Sequence, residues 1–450
     1  MLLMLLLILL LFFTMQVLLY LLLSFLSHLF TFHACCNFLL LASSVVVLSN
    51  FMDCFWFPES VFLVFGLVFV AFLAGFQVGF CDESVKFITW DDMRVDIERG
   101  GLSVGMGDSL NHSRVLVVDK NGGGHSVTVQ GAIDMVPENN PQRVKIYILP
   151  GIYREKITVP QSKPFISLIG NDSDVSETVI TWGDKASDKD SDGNELGTYN
   201  SASVTILSDY FCATGVTFEN SVVAIPGEKG MQAVALRIGG DKAMFYRVRI
   251  LGTQDTLLDD IGSHYFYQCH IQGTVDFIFG RARSLYQVLN SFPRCFLGPT
   301  FYVFFMIPGL GKMVVESEKT NVQNSVIHSI AKNSGAIAAH HRDSPDEETG
   351  FSFVNCVING TGKIYLGRAW GSYARIVYSY SFMDDIIVPS GWTDWNVPDR
   401  QKTAVFSEYQ CWGKGADTSQ RVPWLKSFSF EEAQPYLNMT FIDGNQWLRL

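Results

Sequence analysis

The stretch QAVALRIGGDKAMFYRVRILGTQDTLLDDIGSHYFYQCHIQGTVDFIFG, from Gln232 to Gly280, decides the fold. Within it, short runs rich in β-branched and aromatic residues return about every 20 to 24 residues, separated by Gly, Asp and Thr. Recurrence at so short a period is what a solenoid produces, each turn being a coil of short strands stacked on the coil before it. The reading is an all-β chain wound as a parallel β-helix. An antiparallel immunoglobulin-like sandwich would need many tight two-residue hairpins, and the sequence offers few.

Outward from this stretch the same kind of run appears at Val144–Leu149, Phe165–Ile169, Thr178–Trp182, Ser203–Leu207 and Phe351–Ile358. Inside it, Met244–Ile250 and Tyr265–Ile271 each read as one strand. A helix is expected over Val127–Val136, before Pro137, and Glu431–Tyr436 is too short to matter. Asp184–Tyr199 has the composition of a calcium loop but lacks the closing Glu and flanking helices, so it reads as a solvated loop.

The chain has 450 residues, 48% apolar and 17% charged, too hydrophobic for disorder and long enough for a sizeable core. Its net charge of −11 disfavours nucleic acid or an anionic membrane as a partner. No Lys or Arg precedes Lys86, and only Asp53 and Glu59 are acidic in the first 80 residues. Residues 1–80 therefore form an apolar leader, read either as one or two membrane spans or as a secretory signal with Val61–Gly79 as its apolar core. The secretory reading is preferred. It puts the mature start between Gly75 and Ser84, makes Met52 a candidate start and 1–51 a candidate gene-model artefact. The sequons at Asn111, Asn171, Asn359 and Asn438 agree with export. Residues 81–113 read as a linker before a domain at 114–450. Cys212, Cys269, Cys295, Cys356 and Cys411 show no metal spacing and read as buried free thiols, with one or two disulfides as the alternative.

In a solenoid, sequence separation becomes vertical stacking. Gln232, Asp255 and Asp276 are 23 and 21 residues apart, about one coil each, and Gln254 adjoins Asp255. Two carboxylates stacked on strands about 4.8 Å apart cannot both ionise comfortably, so one keeps its proton and the other stays anionic. Such a pair supplies a general acid and a nucleophile together. Aspartates also end strands and cap turns, and spacing alone leaves that reading open. His264, His270, His340 and His341 read as satisfied or exposed histidines.

Five ordered segments, Gly151-Ile-Tyr-Arg-Glu155, Gln232-Ala-Val-Ala-Leu-Arg237, Gln254-Asp-Thr-Leu257, Asp276-Phe-Ile-Phe-Gly280 and Leu366-Gly-Arg-Ala-Trp370, resemble the signature segments of plant pectin methylesterases. The resemblance spans about Arg114 to Leu450 and implies the right-handed parallel β-helix of that family. It implies a secreted cell-wall enzyme of the apoplast that demethylesterifies homogalacturonan, releasing methanol without a metal or organic cofactor. By the same resemblance Asp276 is the nucleophile and Asp255 the acid and later base. Gln232 and Gln254 hold the oxyanion, and Arg368 pairs with the nucleophile. Thr198, Gln232, Phe279, Arg368 and Trp370 contact substrate, although Thr198-Tyr departs from the usual Thr-Phe. Gly151, Tyr153 and Glu155 are structural. A monomer open to a proteinaceous pectinesterase inhibitor is implied as well.

Two features depart from the family. There is no room for the N-terminal inhibitor-like domain, so the chain resembles the shorter class. Val288–Gln323, rich in large apolar residues, interrupts what reads as a continuous strand run from Ser284 through Asn324 to Ser329, and a retained intron accounts for it. The competing functions are a non-catalytic wall-binding β-helix disabled by this insertion, and a β-helix pectin hydrolase or lyase.

Overall fold

The structure is a computed structural model that describes residues 86–95, 114–287 and 326–450. The chain divides into two units, Met1–Ser84 and Val85–Leu450, and every described residue belongs to the second. The apolar leader and the insertion at 288–323 lie outside the described residues, as do most of the 81–113 stretch and the Asn111 sequon.

The chain winds as a right-handed parallel β-helix of three faces, and every pairing between its stacked coils is parallel. One face stacks ten strands from Arg114–Val118 to Val405–Tyr409. A second carries Thr178–Trp182, Thr217–Asn220, Arg249–Leu251 and His270–Gly273. The third carries Ile157–Val159, Val204–Ile206, Leu236–Ile238, Leu257–Asp259 and Val275–Gly280. The long strands Val326–His340 and Val357–Ala369 run along both of these faces, with a register shift between Ile330 and Ser334. Parallel pairing rules out the antiparallel sandwich.

Stacking in register puts like side chains on like, and the interior fills with ladders. Phe245, Phe266, Tyr286, Phe353 and Tyr378 form an aromatic column with successive ring centroids 4.5 to 4.9 Å apart. Leu236, Leu257 and Ile278 run up the third face as an aliphatic one. Fully burying each such side chain is worth about 1.5–3 kcal/mol, which offsets the absence of a second apolar layer.

Three runs that look like single strands in the sequence are each two strands on different faces. Ala243–Tyr246 turns into Arg249–Leu251, Ser263–Tyr267 into His270–Gly273, and Gly350–Val354 into Val357–Ala369. The linking pairs are Arg247-Val248, Gln268-Cys269 and Asn355-Cys356. The first residue of each pair is left-handed, with φ of 50°, 56° and 56°, and the second is buried. The left-handed residue turns the corner at a cost of about 1–2 kcal/mol, and its neighbour drops a compact side chain into the core. Cys269 Sγ donates to Phe245 O at 3.3 Å, and Cys356 Sγ to Tyr286 O at 3.5 Å. Cys212 and Cys356 are buried free thiols, and Cys411 is a half-buried one.

The ends of the helix are covered. The expected helix forms over Val129–Asp134, with Thr128 as its N-cap. Glu155 accepts from Val129 N and Gln130 N at 2.8 and 2.9 Å, and Tyr153 Oη donates to Leu149 O, so this early motif is structural. Part of the stretch read as a linker is packed structure. Ile88–Thr89 pairs with Leu448–Arg449, Ile88 and Met93 are buried, and Trp90 meets Tyr246 edge-on at 5.0 Å. No described helix is long and apolar enough to cross a membrane.

Candidate active site

Asp255 and Asp276 stand on adjacent coils of the third face in one register. Gln254 bridges Val275 and Leu257 pairs with Ile278, both offsets being 21 residues. Asp255 N donates to Val275 O at 3.1 Å, tying the two coils at the carboxylates themselves. Both residues are left-handed, φ 60° and 46°, a conformation that Asp tolerates better than most side chains. Gly280 ends the strand of Asp276 where a Cβ would lie 1.8 Å from Asp259 O, so only glycine lets the two coils close up there.

The paired stretch of the preceding coil begins at Leu236, opposite Leu257, and four residues before it lies Gln232. Its Oε1 is buried without a hydrogen-bond partner among the described residues, an amide left for something else to engage. Ala233 N donates to Gln254 O at 3.1 Å, which ties the two glutamine segments together.

Arg368 reaches the site from 92 residues away. Its Nε donates to Asp276 Oδ1 at 2.7 Å and its second guanidinium nitrogen to Oδ2, a two-pronged grip on one carboxylate. Burial raises the pKa of both aspartates. At Asp255 the negative charge of Asp276 raises it further, to well above the ordinary carboxylate range, while Arg368 opposes the rise only through space. At Asp276 the hydrogen bonds and charge of Arg368 counter the burial directly. Arg368 thus favours the ionised form at Asp276, and the pair holds a proton more readily on Asp255. The arrangement sets a carboxyl that favours its proton beside a carboxylate gripped by a guanidinium.

The comparisons with known proteins agree with this geometry. The Pectinesterase family model matches residues 115–297 and 301–445. The chain belongs to the pectinesterase family. It is 54% identical over 410 residues to Pectinesterase QRT1 of Arabidopsis thaliana, covering 87% of this chain and 98% of that one. Probable pectinesterase 8 of the same plant is 40% identical over 335 residues, 74% of this chain and 76% of its own length. Among solved structures, pectin methylesterase from carrot superposes with a TM-score of 0.61 at 32% identity, over 76% of this chain and 96% of that one. The Aspergillus niger enzyme gives 0.57 at 26%, over 76% and 98%. The chain is thus an enzyme, a carboxylic ester hydrolase that demethylesterifies pectin.

Of the other residues expected to contact substrate in this pectinesterase, Phe279, Arg368 and Trp370 lie on the same face. Phe279, Ala339 and Arg368 follow one another in register as an outward row, and Phe279 is 5% exposed. Its ring lies 6.1 Å from that of Trp370, so it is part of the aromatic wall and also packed against it. Thr198 sits in the short helix Gly197–Asn200, which Ser201 anchors by accepting from Val234 N at 3.1 Å. The histidines are accounted for: His264 bonds Asp259 and Gly240 O, His340 Nδ1 accepts from Arg375 N, and His341 packs on Trp370. Burial lowers His270 to about 4. In the Asp184–Tyr199 loop, Asp190 accepts from the backbone of Asp192 and Asn194, and Asp188 pairs with Lys185.

Sequence reasoning missed Trp395. Its ring covers the Arg368 guanidinium, 3.7 Å from centroid to Cζ, and its only signal was a large apolar residue in the polar turn Thr393–Asn396. A ring on that face shields Arg368 from water and strengthens its hold on Asp276. Trp395→Ala should lower kcat/KM about two- to thirty-fold, from a cation–π contact worth about 0.5–2 kcal/mol. A weaker Arg368 lets the Asp276 pKa climb, so the acid limb of the pH profile should move to higher pH, and Trp395→Phe should restore most of it. An unmoved acid limb would make Trp395 a packing residue only.

Proposed function

We propose that this chain cleaves the methyl ester of homogalacturonan by covalent catalysis at Asp276, outside the cell in the plant wall. The Asp276 carboxylate attacks the ester carbonyl carbon. Negative charge gathers on the carbonyl oxygen, where the Gln232 and Gln254 amides donate, a kind of contact worth about 3–4 kcal/mol per donor. As the tetrahedral intermediate collapses, Asp255 gives its proton to the departing methoxide, and methanol leaves an acyl–Asp276 anhydride. Asp255, now a carboxylate, takes a proton from water, which attacks the anhydride. Galacturonate leaves, Asp276 is regenerated and Asp255 is again an acid. Two moderate steps replace one difficult hydrolysis, and the sequence of bonds calls for no cofactor.

The observation that carries this reading is that Arg368 grips only one of two in-register carboxylates, so their roles are already divided. The exposed Asn438, and the half-buried Asn171 with its exposed neighbours Asp172 and Ser173, fit export, whereas Asn359 lies within a strand and its Oδ1 is 2.7 Å from His328 Nδ1. Methanol release from methyl-esterified pectin by the purified segment from Cys81 tests the function. New reducing ends or unsaturated products would establish a hydrolase or lyase instead, and no reaction at all a wall-binding protein.

A further inference from the structure

On the catalytic face a second outward row lies just past the row of Phe279 and Arg368. Pairing of Asp259 with Gly280, Gly280 with His340 and His340 with Ala369 puts Asp260, Arg281, His341 and Trp370 on successive coils. The row thus runs from Trp370, with His341 ring to ring at 4.8 Å, toward Arg281 on the coil of the nucleophile. Arg281 is five residues past Asp276, roughly 16 Å at about 3.3 Å per residue, too far to touch the ester under attack.

The charges around Arg281 do not cancel. Asp260, whose side chain is 3% exposed, is engaged by its other neighbours. Arg237 donates to its Oδ2 at 3.2 and 3.4 Å, and Tyr199 Oη to its Oδ1 at 3.3 Å, with the Arg237 guanidinium over the Tyr199 ring. Among the described residues the Arg281 side chain has only a 3.9 Å ionic contact, with Asp260, and it is 45% exposed. Two arginines against one aspartate leave a net positive charge, and Arg281 holds its planar fork of donors uncommitted on the face that meets the polymer.

We propose that Arg281 is a subsite for a free galacturonate carboxylate elsewhere on the bound polymer, so that the enzyme favours pectin already partly demethylated. The inference rests on the esterase reading above. Each turnover converts a neutral ester into an anion on the same chain, and an uncommitted guanidinium separates the two because only the carboxylate forms a charge-assisted, two-pronged pair. The whole molecule, at −11, repels a polyanion, so engagement of a demethylated stretch calls for a local cation of this kind.

The test uses the full chain secreted from a eukaryotic host, with Arg281→Gln and Arg281→Lys. Initial rates of methanol release are measured on fully methylated and half-methylated homogalacturonan, and binding on fully demethylated oligogalacturonate. Wild type should prefer the half-methylated polymer. Arg281→Gln should lose about three- to ten-fold in kcat/KM on that polymer, through KM, while its rate on the fully methylated one stays put. Arg281→Lys should keep part of the preference, and the oligogalacturonate should bind Arg281→Gln more weakly. An unchanged ratio with unchanged binding, or an equal loss on both polymers, overturns the subsite. The binding arm decides it even without turnover, whereas a wild type that releases no methanol from any pectin overturns only the esterase reading.

Discussion

Asp276→Asn is expected to lower methanol release at least about a hundredfold while the chain folds as before. An amide cannot act as the anionic nucleophile, and loss of a covalent route costs several kcal/mol at about 1.36 kcal/mol per decade. Asn is the informative replacement because it tolerates the left-handed backbone at φ 46°, whereas Ala adds strain to lost chemistry. Its Oδ1 can still accept from Arg368, whose side chain is 28% exposed, so little charge is stranded in the core. A second readout follows from the neighbour. Asp255 loses the anion that helps raise its pKa, so its titration should move down toward the ordinary range. Turnover above about a hundredth of wild type, measured as methanol with thermal unfolding as the folding control, would remove Asp276 from the nucleophile's role.

Deletion of Val288–Gln323 is expected to turn a poorly soluble chain into a soluble one without lowering activity per folded molecule. The sequence reads as one strand run rejoined across the deletion, and the fold makes the join a corner. Gln287 pairs with Tyr267 on one face and Val326 with His270 on the next, so the join must be a corner. Tyr267 and His270 are linked by two residues, as are Tyr246 and Arg249, and Val354 and Val357. The deletion leaves two, Asn324 and Ser325. Asn suits the left-handed first position, as Asn355 does one coil later, and Ser suits the buried second, as Ser381 does. The single break in the family match, at 298–300, falls inside the removed segment. Its large apolar side chains find no second core in a solenoid and are an aggregation liability. Soluble yield and methanol release per folded molecule decide the matter. A deleted chain that is insoluble or inactive, beside a full chain that folds and works, would make the segment integral.

The carboxylate pair was legible because a parallel solenoid makes each coil's main contacts with the coils above and below it. A 21-residue separation between Asp255 and Asp276 is then almost a distance. Gln232 lies four residues before the paired stretch of its coil, so its spacing of 23 counts loop as well as strand. Arg368 could not be placed by spacing, because the coils between it and Asp276 include long strands with a register shift and are interrupted by the apolar segment Val288–Gln323. Only resemblance brought it to the site. Trp395 was invisible for the same reason and had no motif to announce it.

The sequence by itself determined the parallel stacking, the face on which the two aspartates meet and the chemistry a carboxylate pair can perform, because these follow from a short period and from residue type. The tertiary structure decided where the chain turns. Corner residues such as Arg247, Gln268 and Tyr380 are left-handed although nothing in their side chains favours it; the fit of the next coil on the last imposes it. It also decided which aspartate the guanidinium holds. Two carboxylates alike in sequence are told apart only by where Arg368 lands, and it lands on Asp276.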